Sequence, residues 1–587
     1  MIDIFVIAIY FSFLVTIGWI FRKFTSSTSD YFRGGGKMLW WMVGSTAFMT
    51  QFSAWTFTGG AGKAFIDGWS VAIIFFANSV GYFCNYLFFA AKARQMRVVT
   101  PIEGIRYRYG KLNEQVFTWS IMPSSVLEAA VWLNGLAIFV SAVFDIQLSH
   151  TIIVTGIIVV MMSVTGGAWA VIASDFMQMV VIMAVSIVCT LVAITKSGGI
   201  GPLFDRGLPE MPIAGQGINH GFLFIAWCIA IFVKQFFSTN NMIDSYRYIS
   251  AKDSVNARRG AILAGILMFC GAFIWFIPSW FVAANYPDTT SWGIPNLGGK
   301  ITDAAYLIFV RNEMPAGMVG LMMAAVFAAT MSSMDSALNR NAGIFIKNFY
   351  IRVVKKEKSE RELLITSKIA TSIFGMLIIG VGIFMSNLRE TSLFELMMLV
   401  VTLVKLPILI PSLLGFFVKK TPDWAGWGTI VVGAIVSYIV AFIITPEMIE
   451  RGLNLTEPLT RREFSDLRSV TLGISFHMLI TVPFYLISTF FYKGHEGERK
   501  IELETFFNNV STEVVAEYVD ENELDNKQRF ILGKLIQVVG VAIACLCIVP
   551  NLFWGRLVFI IVGFIVILVG TALKLAVSKS NKKRIVT

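Results

Sequence analysis

Charge is scarce in this chain. Only 14% of its 587 residues are Asp, Glu, Lys or Arg, against 56% hydrophobic residues and a mean hydropathy of +0.71. A soluble globular chain carries about 25% charged residues, so the deficit excludes a soluble enzyme or a nucleic-acid binder and leaves a polytopic membrane protein. The net charge of +11 does not revive a nucleic-acid partner, because the Lys and Arg gather in alternate loops, as membrane topology demands. Histidine is rarer still: His150, His220, His477 and His495 are scattered and mostly at span ends, which speaks against a histidine proton relay. All six cysteines (Cys84, Cys189, Cys228, Cys270, Cys545, Cys547) fall in predicted spans, where each behaves as a small apolar residue, so neither a disulfide framework nor a metal cluster is implied. No phosphate-binding P-loop, His-Glu-x-x-His or Gly-x-Ser-x-Gly pattern occurs. An ATP-driven pump or a membrane hydrolase therefore has no machinery here, and no enzyme is expected.

Long apolar runs make up most of what is present. They lie near residues 2–21, 39–66, 69–94, 115–144, 149–167, 169–195, 220–240, 257–285, 303–347, 364–387, 391–418, 426–445, 470–492, 530–549 and 553–577, about fifteen helices of spanning length in an all-α fold. The first run has no basic residue before it and no small-residue cleavage site behind it, so it reads as a retained helix. If all fifteen cross, the basic loops share one side, which predicts a multi-pass cell-membrane protein with its N terminus outside and its C terminus in the cytoplasm. Residues 493–529 hold ten acidic and five basic residues, too short for a domain and expected to decorate the cytoplasmic face, with an amphipathic helix within Ile501 to Tyr518.

Two spans carry breaks. The second contains Thr50-Gln51-Phe52-Ser53-Ala54-Trp55-Thr56-Phe57-Thr58-Gly59-Gly60, and the seventh runs into Ser238-Thr239-Asn240-Asn241-Met242-Ile243-Asp244-Ser245. Unwound backbone survives at membrane depth only where it lines a cavity or is buried in protein. The breaks are five helices apart, so spans 2–6 and 7–11 read as two inverted five-helix repeats of a secondary transporter; close helix packing is the other reading of the same small residues. The division expected is 1–38 for an extra helix and loop, 39–219 and 220–420 for the repeats, 421–492 for two further helices, 493–529 for the insert, and 530–587 for a helical hairpin with a basic tail. In the ninth span, Ser332, Asp335, Ser336 and Asn339 share one helix face. Hard oxygens on one face suit a hard cation such as sodium, and a packing seam is again the alternative.

Several segments resemble the sodium/solute symporter family, which holds sodium-coupled sugar, sialic acid, proline and iodide carriers. Met331-Ser332-Ser333-Met334-Asp335-Ser336-Ala337-Leu338-Asn339 is similar to its sodium-site helix, nearest the sugar-carrier branch. Thr165-Gly166-Gly167 with Ala173-Ser174-Asp175-Phe176-Met177-Gln178 resembles its Gly-Gly turn and the buried aspartate of its sixth helix. Tyr246-Arg247-Tyr248-Ile249-Ser250-Ala251-Lys252 resembles its cytoplasmic Gln-Arg-x-x-Ala-Ala-Lys stretch, and Trp40-Trp41 followed by Gly44 adds a further match. The resemblance covers about residues 1–495 and implies a LeuT-type core in spans 2–11.

Carried over by position, the resemblance implies a first sodium site built from the carbonyls of Met49, Phe52 and Ala329 and the hydroxyls of Ser332 and Ser333. A second site would use Asp175, Ser332 and Ser336, with Asp335 standing where a neutral hydroxyl is common. Two carboxylates there would repel unless a cation or proton lies between them, the alternative being that Asp335 pairs with Arg340 or Lys347. The fold implies a midplane substrate site with candidates Gln51, Ser53, Trp55, Thr56, Asn78, Glu128, Asn241 and Lys405. Met242 and Ile243 replace a tyrosine expected after the amide, so gating by that aromatic is not expected. Lys405, with Lys234, would meet a substrate carboxylate, or Lys405 would neutralise Glu128 and leave a pocket for a neutral sugar. The function implied is sodium-coupled import of a small polar solute, a monosaccharide or sugar acid, by a monomer in a lipid bilayer with sodium as coupling ion. A carrier of a monocarboxylate, amino acid or other organic ion, and a transporter-like membrane sensor, are the alternatives.

Overall fold

The computed structural model describes residues 3, 5–8, 10, 12, 16, 36–165, 168–207, 217–351, 359–388, 391–515, 521–549 and 551–585. The Gly166-Gly167 turn and most of the first apolar run lie outside the described residues. Among the described residues, twelve helices are long and apolar enough to span. The broken second span and the shorter Leu148–Val164 helix add to them, close to the expected count.

The second span is three pieces, α1 (Trp40–Gln51), α2 (Ala54–Phe57) and α3 (Gly59–Asp67). The rest of the first unit is α4 (Ser70–Gln95), α5 (Lys111–Phe144), α6 (Leu148–Thr165) and α7 (Ala168–Lys196). The second unit is α8 (Gly221–Thr239), α9 (Ser254–Asn285), α10 (Met318–Tyr350), α11 (Glu360–Ser386) and α12 (Leu393–Leu414). One expectation differs. Residues 303–347 read as a single run, yet a 3-10 segment (Pro295–Ala304) and a short helix (Ala305–Glu313) precede α10, because Pro315 and Gly317, at φ +94°, interrupt the chain.

Packing sorts the helices into two sets. In one, α1 lies on α9 and α8 on α4, while α9 also packs on α4. In the other, α5 packs on α11 and α6 on α10, with α6 against α11 and α10 against α5. Exchanging each span for the one five spans on maps α1–α9 onto α8–α4 and α5–α11 onto α10–α6, as inverted repeats require. The α1–α9 approach is made by small residues: a Cβ on Gly44 would lie 2.7 Å from the Gly260 carbonyl oxygen, and one on Gly260 would lie 3.1 Å from the Gly44 nitrogen. Gly44→Val is expected to lower stability by about 1–3 kcal/mol through overpacking, read as a lower apparent Tm in detergent; an unchanged Tm would show that the helices separate without cost.

The acidic insert folds down as α13 (Gly497–Ser511), burying Leu503, Phe506 and Val510. Arg499 donates to Asp423 at 2.9 Å and to the Arg108 carbonyl at 2.7 Å, while Val514 and Ser254 exchange two hydrogen bonds at 3.0 Å. It thereby joins the segments at Arg108 and Asp423 to the start of α9.

Candidate ion and substrate sites

Backbone breakage supplies the first cluster. Phe52 leaves the helix with φ −115° and ψ 125°, and the Ser53 side chain caps α2 by accepting from the Trp55 N–H at 3.2 Å. Thr330 on α10 accepts the Ala54 N–H at 3.1 Å and ties the break to that helix. One turn on, the Ser333 hydroxyl lies 2.8 Å from the Phe52 carbonyl oxygen, 3.1 Å from that of Met49 and 3.2 Å from that of Ala329. A hydroxyl has a single proton to donate, so three carbonyl acceptors around one hydroxyl leave lone pairs facing one another. That is the donor set a hard, weakly held cation takes. Ser332, the fifth expected member, is buried with its hydroxyl turned toward the Asp175 carboxylate.

A second cluster lies next to it. Asp175 is fully buried, accepts from the Thr46 hydroxyl on one oxygen, and has no hydrogen-bond donor on Oδ1. Asp335 accepts from the Ser163 hydroxyl, and both carboxylates face the Arg247 guanidinium, whose Nε donates to Thr50 at 3.0 Å. Asp335 does not pair with Arg340, which is held by Asp244 Oδ1 at 3.1 Å and by Ser125 at 3.0 Å. Ser336 donates to the Ser332 carbonyl at 2.7 Å, so its hydroxyl proton is already engaged within α10.

Lined in part by Thr50, Gln51 and Ser53 of the same break is a cavity of about 60 Å³. Six of the eight substrate candidates line it: Gln51, Ser53, Trp55, Asn78, Glu128 and Lys405. Thr56 and Asn241 do not. Thr56 is buried outside the lining, and the Asn241 side chain holds the second backbone break, donating to the Phe237 carbonyl at 2.9 Å and accepting the Asp244 N–H at 2.8 Å. Ser412 on α12 accepts the Met242 and Ile243 N–H groups at 2.9 and 3.3 Å, which buries those side chains away from the cavity. Trp55 reaches the cavity while stacking on Phe394 with ring centroids 5.7 Å apart.

Lys405 takes the neutralising role. Its Nζ is 3.0 and 3.1 Å from the Glu128 oxygens and 3.1 Å from Asp244 Oδ2. Asp244, Arg340 and Lys234 also line the cavity, and only Lys234 was singled out from the sequence. Asp244 sits in the broken Ser238–Ser245 stretch and Arg340 is a charge within an apolar span, which are the signals that could have found them.

The profile of the sodium:solute symporter family matches residues 31–433, more than two-thirds of the chain. The chain belongs to the sodium:solute symporter family. This symporter is 25% identical to sodium/glucose cotransporter 4 of Danio rerio over 560 residues, covering 86% of this chain and 82% of that one. It is 24% identical to sodium/glucose cotransporter 1 of Ovis aries (73% and 70% covered) and 24% identical to sodium/myo-inositol cotransporter 2 of Rattus norvegicus (74% and 69%). Among solved structures, a substrate-bound, outward-open Na+-coupled sialic acid symporter overlays with a TM-score of 0.69 at 19% identity, covering 84% of this chain and 98% of that one. A nucleobase-cation-symport-1 family transporter overlays at 0.50 with 14% identity, covering 82% and 99%. The symporter has the LeuT-like fold with inverted repeats, and it is a sodium-coupled transporter, not an enzyme.

Proposed function

We propose that this symporter imports a small hydroxylated solute, a monosaccharide or sugar acid, bound in the cavity lined by the break that also forms the Ser333 cluster. One observation carries the reading: residues 49–53 supply both the Met49 and Phe52 carbonyls of the cluster and the Gln51 and Ser53 side chains of the cavity lining. A sodium ion held by those carbonyls with Ala329, Ser332 and Ser333 orders the same unwound backbone that presents Gln51 and Ser53 to the solute. Each ligand then binds a segment the other has already ordered, which is thermodynamic coupling without direct contact. The names of the sugar and inositol cotransporters among its relatives support a hydroxylated solute. Each sodium entering down an inside-negative potential of 100 mV contributes about 2.3 kcal/mol, before its concentration gradient.

A second sodium takes Asp175 Oδ1 and the neighbouring Ser332 hydroxyl, with Asp335 and Ser336 flanking. Asp175→Asn is expected to lower the sodium:solute ratio by one, measured from the reversal potential of proteoliposome uptake; an unchanged ratio contradicts a second ion. Access alternates as the helix set of α1, α4, α8 and α9 rocks against α5, α6, α10 and α11. The Asp244–Arg340 pair joins the break after α8 to α10 across these groups and must part when the cavity opens inward, while Asp244–Lys405 ties the same break to α12. The basic loops support an outside N terminus and a cytoplasmic C terminus, and the supply of both clusters and the cavity by one chain supports a working monomer. Uptake of a panel of sugars and sugar acids into proteoliposomes, with an inward sodium gradient against potassium alone, tests the reading. Sodium-dependent accumulation of at least one member is expected, and none across the panel would overturn it.

A further inference from the structure

Three cations and two carboxylates line the cavity, and the carboxylates are both engaged. Glu128 is bound by Lys405, and Asp244 by Lys405 and Arg340, each within 3.1 Å. The third cation is Lys234, on α8. It is 3% exposed, and among the described residues no carboxylate oxygen lies within 4.0 Å of its ammonium, which donates to the weakly accepting Met398 sulfur at 3.4 Å. An ammonium carries three donors, and removing an unpaired one from water costs several kcal/mol. The lining therefore holds one excess positive charge, on a group nine-tenths buried and facing the cavity. Around it are further unpartnered polar atoms: Asn78 Oδ1, an acceptor, and the Ser238 hydroxyl, one turn along α8.

We infer that Lys234 anchors a substrate carboxylate, so that the solute is a sugar acid, one carboxylate on a polyhydroxylated frame, rather than a neutral sugar. This rests on the proposed transport of a sugar-like solute and narrows it. One carboxylate at Lys234 brings the lining to neutrality and replaces a sulfur contact with a charge-assisted hydrogen bond. The Asn78 and Ser238 atoms take the hydroxyls. A neutral sugar would leave the buried ammonium to the field of Glu128, a carboxylate already in contact with Lys405.

The test uses the purified full-length chain in sodium buffer, with binding of gluconate, glucuronate, galacturonate and N-acetylneuraminate compared with glucose and galactose. At least one acid is expected to bind at least about tenfold more tightly than its neutral parent. Lys234→Met is expected to weaken binding of that acid roughly 100-fold, the usual scale for removing one partner of a buried charge pair, while Lys234→Arg keeps the preference for the acid. A neutral parent that binds the unaltered protein as tightly as the acid overturns the inference, with no dependence on how the variants fold. So does an acid affinity that survives Lys234→Met. If proteoliposomes accumulate a neutral sugar with sodium and none of the acids, the inference fails and the proposed function stands; if they accumulate neither, both fail.

Discussion

Ser333→Ala is expected to raise the sodium concentration for half-maximal uptake at least about tenfold, equivalent to about 1.4 kcal/mol of lost sodium binding. The hydroxyl sits within 3.2 Å of three carbonyl oxygens from two helices, and it is the side chain that closes the cluster. Alanine removes one ligand and leaves the Met49 and Phe52 carbonyls facing apolar space. It deletes a single buried atom, so the fold survives and the loss is read in sodium dependence rather than in expression. Ser333→Thr keeps the hydroxyl and is expected to stay near the unaltered sodium requirement. Sodium titration of uptake decides: an unchanged half-maximal concentration in Ser333→Ala removes this residue from the ion site.

Lys405→Gln is expected to cost about 3–5 kcal/mol of stability and to abolish uptake of every solute, charged or neutral. Its ammonium is within 3.1 Å of both Glu128 and Asp244, and all three are buried. Removing it leaves Glu128 without a cation in contact and Asp244 with Arg340 alone. Because the penalty comes from the stranded carboxylate more than from the lost attraction, adding Glu128→Gln to Lys405→Gln should recover part of the stability. Thermal unfolding in detergent with parallel uptake assays provides the comparison. A Lys405→Gln protein that unfolds like the original and loses uptake of anions alone would move the carboxylate anchor from Lys234 to Lys405.

The spans were legible from hydropathy, because crossing a bilayer demands long apolar runs. The two breaks were legible from clustered Gly, Ser, Thr and Asn. Meeting of Ser333 with the Phe52 carbonyl was not: backbone oxygens carry no sequence signature, and Phe52 entered only through resemblance to a known family. Charge pairing was the least legible feature. Glu128, Lys234, Asp244, Arg340 and Lys405 come from widely separated segments, and their sequence positions cannot say which cation is left over. The structure settles the pairing by distance, giving Lys405 to the carboxylates and leaving Lys234 facing the cavity. Asn241 shows the opposite failure. An amide at a helix break suits a ligand and equally suits the backbone groups the break exposes, and here the backbone takes it.

In the proposed mechanism sodium and solute bind to one unwound segment and thereby strengthen each other. This coupling is tested most directly by radiolabelled sodium binding to the purified symporter with and without a transported solute. The solute is expected to raise sodium affinity by the same factor by which sodium raises solute affinity, and this factor is expected to fall to near one in Ser333→Ala. Sodium affinity that does not respond to a solute the protein demonstrably binds would contradict the mechanism.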